Sequence, residues 1–162
     1  MRVVFRVDGS NRIGLGHLTR CIALAEMLKH DYEIIFICRE ISESFSFEIN
    51  DLGFQIIKVD VEAEFFEIIT PLDVVVLDHY ELLEDFQYKV KQRGCKLVCI
   101  DDMQDGFFWA DLIINHAPEV KASDYEAKIH TQFALGLEYA LLRPVFLTGE
   151  KRPPNKKIIQ SV

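Results

Sequence analysis

Arg2-Val3-Val4-Phe5-Arg6-Val7-Asp8-Gly9-Ser10-Asn11-Arg12-Ile13-Gly14-Leu15-Gly16-His17-Leu18-Thr19-Arg20-Cys21 decides how this chain is read. Val3, Val4, Phe5 and Val7 form a short apolar run rich in β-branched residues, the pattern of a buried strand. Asp8 to Gly16 is dense in Gly, Ser and Asn, which turn a chain. From Leu18 the period changes. Leu18, Cys21, Ile22, Ala25 and Leu28 recur three or four apart and share one helix face. The stretch therefore reads as strand, glycine loop and helix, with His17 in the first helical turn.

That order has chemical consequences. The first backbone N–H groups of a helix lack internal partners and attract anions. Gly14 and Gly16 leave the backbone open to close approach by a ligand. His17 follows directly, and an imidazole suits general-base work near neutral pH. The spacing excludes two common phosphate loops. Thr19 stands where a dinucleotide fingerprint needs its third glycine, and no Gly-Lys-Ser/Thr follows. Read on position alone, His17 equally suits a polar helix-start residue facing water.

Working outward, Glu33 to Cys38 reads as a second strand and Gln55 to Val59 as a third. Between them, Ser42 to Leu52 is a weaker helix with Ser42 as its cap and Gly53 as its stop. Ala63 to Ile69 is a short helix halted by Pro71. Asp73 to Leu77 is a fourth, nearly all-apolar and hence central strand. A helix over Leu82 to Gln92 closes at Gly94. Lys96 to Ile100 and Leu112 to Asn115 are the fifth and sixth strands. Alternating strands and helices predict an α/β fold, an open parallel sheet with helices on both faces.

In such sheets ligands sit beyond the carboxyl ends of the strands. Those ends here carry Asp8, Asp78-His79-Tyr80, Asp101-Asp102 and Asn115-His116. Polar groups on four strand ends exceed what turn chemistry requires. Singly, Asp8 and Asp101 also suit turn ties, Tyr80 a core-edge aromatic, His79 a helix interface and Asn115 a bond to its own loop. Three histidines (His17, His79, His116) with Asp78 or Asp102 suggest a competing metal site, but nothing has ligand spacing such as H-x-x-x-H, and no metal or cofactor is expected. There is no Gly-x-Ser-x-Gly elbow.

Composition narrows the class. The chain has 162 residues, enough for one substantial core. Its net charge of −8 argues against a nucleic-acid footprint. A nucleotide's phosphates would then need local cations, for which Arg6, Arg12, Arg20 and the helix start are candidates. No apolar run approaches a membrane span and no signal-peptide pattern opens the chain, which points to the cytoplasm. Cys21, Cys38, Cys95 and Cys99 lie in apolar segments without a C-x-x-C, as buried thiols do.

Phe5-Arg6-Val7-Asp8, Ile13-Gly14-Leu15-Gly16-His17 and Arg20-Cys21-Ile22-Ala23-Leu24-Ala25 together resemble the start of the UDP-sugar hydrolases of pseudaminic acid biosynthesis. Related spore-coat polysaccharide proteins look similar. More distantly, the peptidoglycan N-acetylglucosaminyl transferase also ends its first loop in Gly-His. The likeness continues at Leu77-Asp78-His79-Tyr80, Ile100-Asp101-Asp102, Ala122-Ser123-Asp124-Tyr125 and Gly136-Leu137-Glu138-Tyr139-Ala140-Leu141-Leu142-Arg143. It implies the Rossmann-like N-terminal half of a GT-B-type fold and hydrolysis of a UDP-linked deoxy-amino sugar. His17 would be the base for water and Tyr80 its assistant. Asp8, Arg12, Gly14, Gly16 and Asn115 would meet the substrate. A GT-B-type glycosyltransferase and a non-catalytic sugar-binding domain are the alternatives.

Gly149 to Lys157 is charged and carries two prolines, as a linker does, and Ile158-Ile159-Gln160-Ser161-Val162 opens like another strand. With the two-domain resemblance, residues 1–148 are expected to be one domain. Residues 149–162 would then be a linker and the start of a missing C-terminal nucleotide-binding domain. Such a half is expected to bind UDP weakly and turn over little alone.

Overall fold

The computed structural model describes residues 1–10 and 14–147. Its elements alternate from the start: β1 (Arg2–Val7), α1 (Gly16–Leu28), β2 (Glu33–Cys38), α2 (Glu43–Asp51), β3 (Gln55–Lys58), α3 (Glu62–Ile68), β4 (Val74–Asp78), α4 (Glu84–Gln92) and β5 (Lys96–Ile100). The second part is strand-rich: β6 (Phe107–Phe108), β7 (Leu112–Asn115), β8 (Glu126–Ala127), β9 (Gln132–Leu135) and a last short α5 (Pro144–Leu147). Seven strands form one sheet in the order β3-β2-β1-β4-β5-β7-β9. Every neighbouring pair is parallel. This is the expected Rossmann-like α/β sheet. The second, minimal sheet pairs β6 with β8.

Strand alternation builds two cores. Val4, Val75, Leu77, Leu97 and Ile113 point to one face, where Phe65 of α3 and Phe86 and Val90 of α4 cover them. Val3, Phe5, Val7, Phe36 and Val76 point to the other, under Leu18 and Ile22 of α1 and Ile49 of α2. Each such buried side chain contributes about 1.5–3 kcal/mol through removal from water. The Phe5 and Phe36 rings stack at 4.8 Å, locking β1 to β2. Gly9 sits where a Cβ would collide with the Leu18 side chain, so this glycine lets α1 lie close on β1.

Two expectations need correction. The sheet has one more strand than foreseen: β9 lies at an edge, with no fully buried side chain, and so lacks a strong apolar signature. Ser42 occupies the N-cap position of α2 without a side-chain bond to the helix backbone, and its hydroxyl instead meets that of Ser44 at 3.2 Å. The stops at Gly53 and Gly94 are as read, both with positive φ. All four cysteines are buried free thiols. No described helix is long and apolar enough to cross a membrane. Arg12 and the stretch over 149–162 lie outside the described residues.

Candidate active site

The chain leaves β1 through α1 toward β2, and returns from β3 to β4 on the other side of β1. Strands β1 and β4 are therefore the switch point, where helices diverge and leave a crevice at the carboxyl edge. Val7 of β1 stands beside Asp78 of β4 in register. Above them α1 begins at Gly16. Sequence neighbours thus become secondary, and the ends of β1, β4 and α1 share one place.

Asp78 is its hub. The His17 ring nitrogen Nδ1 lies 2.5 Å from Asp78 Oδ1. Arg20 forks onto the same carboxylate, Nε to Oδ2 at 2.6 Å and Nη2 to Oδ1 at 2.7 Å. The Cys21 thiol adds a weak donor to Oδ2 at 3.6 Å. His17, Arg20 and Cys21 are spaced i, i+3 and i+4, so a single face of α1 converges on one buried carboxylate. Both Asp78 oxygens are then filled.

His17 is only 6% exposed, yet its ring lies among polar partners rather than hydrocarbon. In the neutral imidazole, Nδ1 carries the proton shared with Asp78, which makes Nε2 the acceptor. The approach of Arg20 Nη2 to Nδ1 at 3.2 Å is then two donors side by side. Nε2 has no hydrogen-bond partner among the described residues, and it is not a sealed orphan as Nδ1 of His116 is. Tyr80 meets the ring edge-on, with centroids 4.4 Å apart. Its hydroxyl donates to Asp102 Oδ2 at 3.2 Å, and Arg20 Nη1 reaches the same oxygen at 2.8 Å. Burial and then the Asp102 charge push the Tyr80 phenol up, keeping it a donor. Burial also raises the Asp102 carboxyl, but the Arg20 bond, the Arg20 charge and the Tyr80 bond together outweigh it, and the group sits below the usual range.

His17 and Tyr80 line two openings. One is a cleft of about 590 Å³ that also holds Asp8, Arg39, Glu62, His79 and Leu82 on its walls. The other, of about 430 Å³, runs past Gly14, Gly16, Arg20, Asp102 and His116. Gly14 has φ +98, and a Cβ at Gly14 or Gly16 would meet open space, so both backbones face the groove bare.

Asp8 lines the cleft and meets the imidazole of His79 rather than that of His17. Its Oδ1 accepts the N–H groups of Arg39 and Glu40 at 2.7 and 3.1 Å. Its Oδ2 lies 3.0 Å from Arg6 Nη2 and 3.2 Å from His79 Nε2. Burial raises this carboxyl, and bonds from His79 and Arg6 more than reverse that, leaving it well below the ordinary range. His79 Nδ1 accepts the Glu81 N–H at 3.0 Å, so His79 is a wall element with both nitrogens engaged. Asn115 is not brought into the cleft. It is buried, donating to the Tyr125 hydroxyl at 2.9 Å and accepting from the Ala117 N–H at 2.8 Å. That is the loop tie its position also suited. Among the described residues no group of three or more His, Cys, Asp or Glu is arranged to hold a metal.

The chain is similar to a sugar-nucleotide hydrolase. Over 97% of its length it is 28% identical to the UDP-2,4-diacetamido-2,4,6-trideoxy-beta-L-altropyranose hydrolase of Campylobacter jejuni, covering 57% of that protein. An uncharacterized protein of Methanocaldococcus jannaschii is also 28% identical over 97% of the chain, which covers 35% of it. The chain thus spans about half or less of the curated relatives it matches. No protein-family model matches it.

Reading residues in order did not reveal Asp78 as the partner of His17, or Arg20 as the link to Asp102. The available signals were an Asp closing the central strand and the H-x-x-R-C spacing on one helix face.

Proposed function

We propose that this chain is the catalytic-base half of a two-domain nucleotide-sugar hydrolase that cleaves a UDP-linked deoxy-amino sugar at its anomeric carbon. The observation that carries it is the His17–Asp78 pair, 2.5 Å apart at the switch point, with Nε2 left open. Neutral water is a poor nucleophile, so a base must take its proton as the new bond forms. In this reading Nε2 accepts that proton while the water oxygen bonds to the anomeric carbon. The carbon–oxygen bond to the diphosphate breaks, and its electron pair leaves with UDP. Asp78 holds the ring in the tautomer this requires and stabilises the imidazolium that results.

Tyr80 then orients the attacked sugar or the water, since it shares both openings with His17. The bare backbone at Gly14 and Gly16 and the start of α1 face the leaving phosphates. Arg12 is a further cation for them, and Asp8 holds the cleft wall. A GT-B-type second domain, beginning after the linker, supplies the uracil and ribose contacts. The similarity to the Campylobacter hydrolase, together with the 57% coverage of it, supports this division.

The test is UDP release by the full-length parent from UDP-linked diacetamido sugars with no acceptor present. Release that requires no acceptor, and that is lost in His17→Ala while substrate still binds, supports the hydrolase. Release only on addition of a sugar acceptor identifies a glycosyltransferase instead. Pathway activity that survives His17→Ala refutes a base role and leaves a binding domain.

A further inference from the structure

We infer that Arg20 is a positioning residue for the reaction, setting both the His17 imidazole and the Tyr80 ring through two carboxylates. The inference rests on the base role given to His17 above, and it concerns a residue to which that reading gave no task.

Consider what fixes Asp78. A carboxylate at a strand end can turn about its last bond, and each turn would move the acceptor that His17 Nδ1 needs. Arg20 removes that freedom. Its Nε and Nη2 meet the two different oxygens of Asp78 at 2.6 and 2.7 Å, a planar fork on a planar group. The third arm, Nη1, holds Asp102 Oδ2 at 2.8 Å. That oxygen also takes the Tyr80 hydroxyl, which keeps the Tyr80 ring edge-on against His17. One guanidinium therefore joins the acceptor behind the imidazole to the aromatic in front of it.

Lysine could not do this. An ammonium is a point charge without the fork, whereas the guanidinium offers five donors in one plane. Burial disfavours a charged Arg20, but the bonds and charges of Asp78 and Asp102 together outweigh it, and the side chain is only 13% exposed. Charge also closes sensibly: the fully buried Asp78 carboxylate has a cation against it and is not left uncompensated. Spacing explains how one helix manages all of it. His17 and Arg20 are three residues apart on α1, so the base and the group that orients its partner ride on the same rigid element.

The experiment uses the full-length parent with Arg20→Ala, Arg20→Lys and His17→Ala, assayed for UDP release. Arg20→Ala is expected to lower kcat about 10- to 100-fold with KM little changed, as misplaced catalytic groups do. Added guanidinium or methylguanidinium should restore part of that loss. Arg20→Lys should stay well below the parent in kcat at similar KM. The 15N signals of the His17 ring should show one tautomer in the parent and a mixture in Arg20→Ala. Turnover by Arg20→Ala close to that of the parent, or a loss that guanidinium does not relieve, overturns the inference. Should Arg20→Ala not fold, Arg20→Lys decides: kcat near the parent's overturns it, and a lowered kcat at unchanged KM sustains it. Active His17→Ala would instead sink the base reading itself, so the two failures are distinct.

Discussion

The two ends of the sheet use the same chemistry and reach different results. At the amino edge, Arg2 forks onto Asp73 at 2.8 and 2.6 Å, and Thr70 donates its N–H to the same carboxylate at 2.7 Å. Lys91 holds Asp111 at 2.6 Å, and the Leu97 N–H joins them at 2.7 Å. These pairs staple helix ends and loops to strand starts, and each carboxylate meets a cation and a backbone N–H. At the carboxyl edge Arg20 forks onto Asp78 in the same manner, but the carboxylate also grips an imidazole whose far nitrogen is open beside a cleft. An ion pair that meets only cations and backbone is a fastener. The same pair gripping an imidazole that lines a cavity can do chemistry.

The sharpest way to break that contrast is His17→Ala. UDP release by the full-length parent should fall about 10²- to 10⁴-fold, the usual worth of a general base, and urea denaturation should show a loss of about 1–3 kcal/mol because the buried Asp78 carboxylate loses a partner. Asp78→Asn should act on both rate and stability. Turnover should fall about 10²-fold or more through the wrong tautomer, and urea denaturation should show a loss of about 3 kcal/mol because Arg20 loses its buried counter-charge.

Asp73→Asn should separate the two edges. It should leave kcat and KM as they are while costing about 1–3 kcal/mol in urea denaturation, since a charge-assisted bond is lost. Its pH dependence has a definite sign. Burial raises the Asp73 carboxyl, but the Arg2 bond and the Thr70 N–H more than reverse this, so the folded group lies below the ordinary carboxylate range. Its stabilisation is therefore complete above about pH 4, the unfolded value, and is lost as pH falls further. Stability measured between about pH 5 and pH 2 should fall less steeply in Asp73→Asn than in the parent. A parallel fall in both would remove Asp73 as a contributor.

The smallest expected effect sharpens the glycine groove. Gly16→Ala meets no neighbour and lies in a helix, so stability should stay within about 0.5 kcal/mol or rise. If the phosphates approach that backbone, KM for the UDP-sugar should nonetheless increase several-fold. An unchanged KM would move the ligand away from the groove and into the cleft alone.

Much of this was legible along the chain. The strand, loop and helix from Arg2 to Leu28 follow from a change of period at Leu18, and β2, β5 and β7 keep the boundaries their apolar runs suggest. Those runs are visible because both faces of a central parallel strand are buried. The edge strand β9, without a fully buried side chain, has no such signature. His17 was singled out from its place after two glycines. Its partner was not, because Asp8 and Asp78 both end strands, and nothing local says which carboxylate lies under α1. The structure gives Asp78 to His17 and Asp8 to His79, and it turns Asn115 inward to Tyr125.

Local pattern alone determined the elements from β1 to β5 and β7, their parallel class and the residue types gathered at one edge, since periodicity and turn chemistry act over a few residues. Tertiary structure alone decided who touches whom across 61 residues, from His17 to Asp78. That pairing depends on β4 rather than β2 or β5 lying where α1 begins, and strand order is a property of the packed whole.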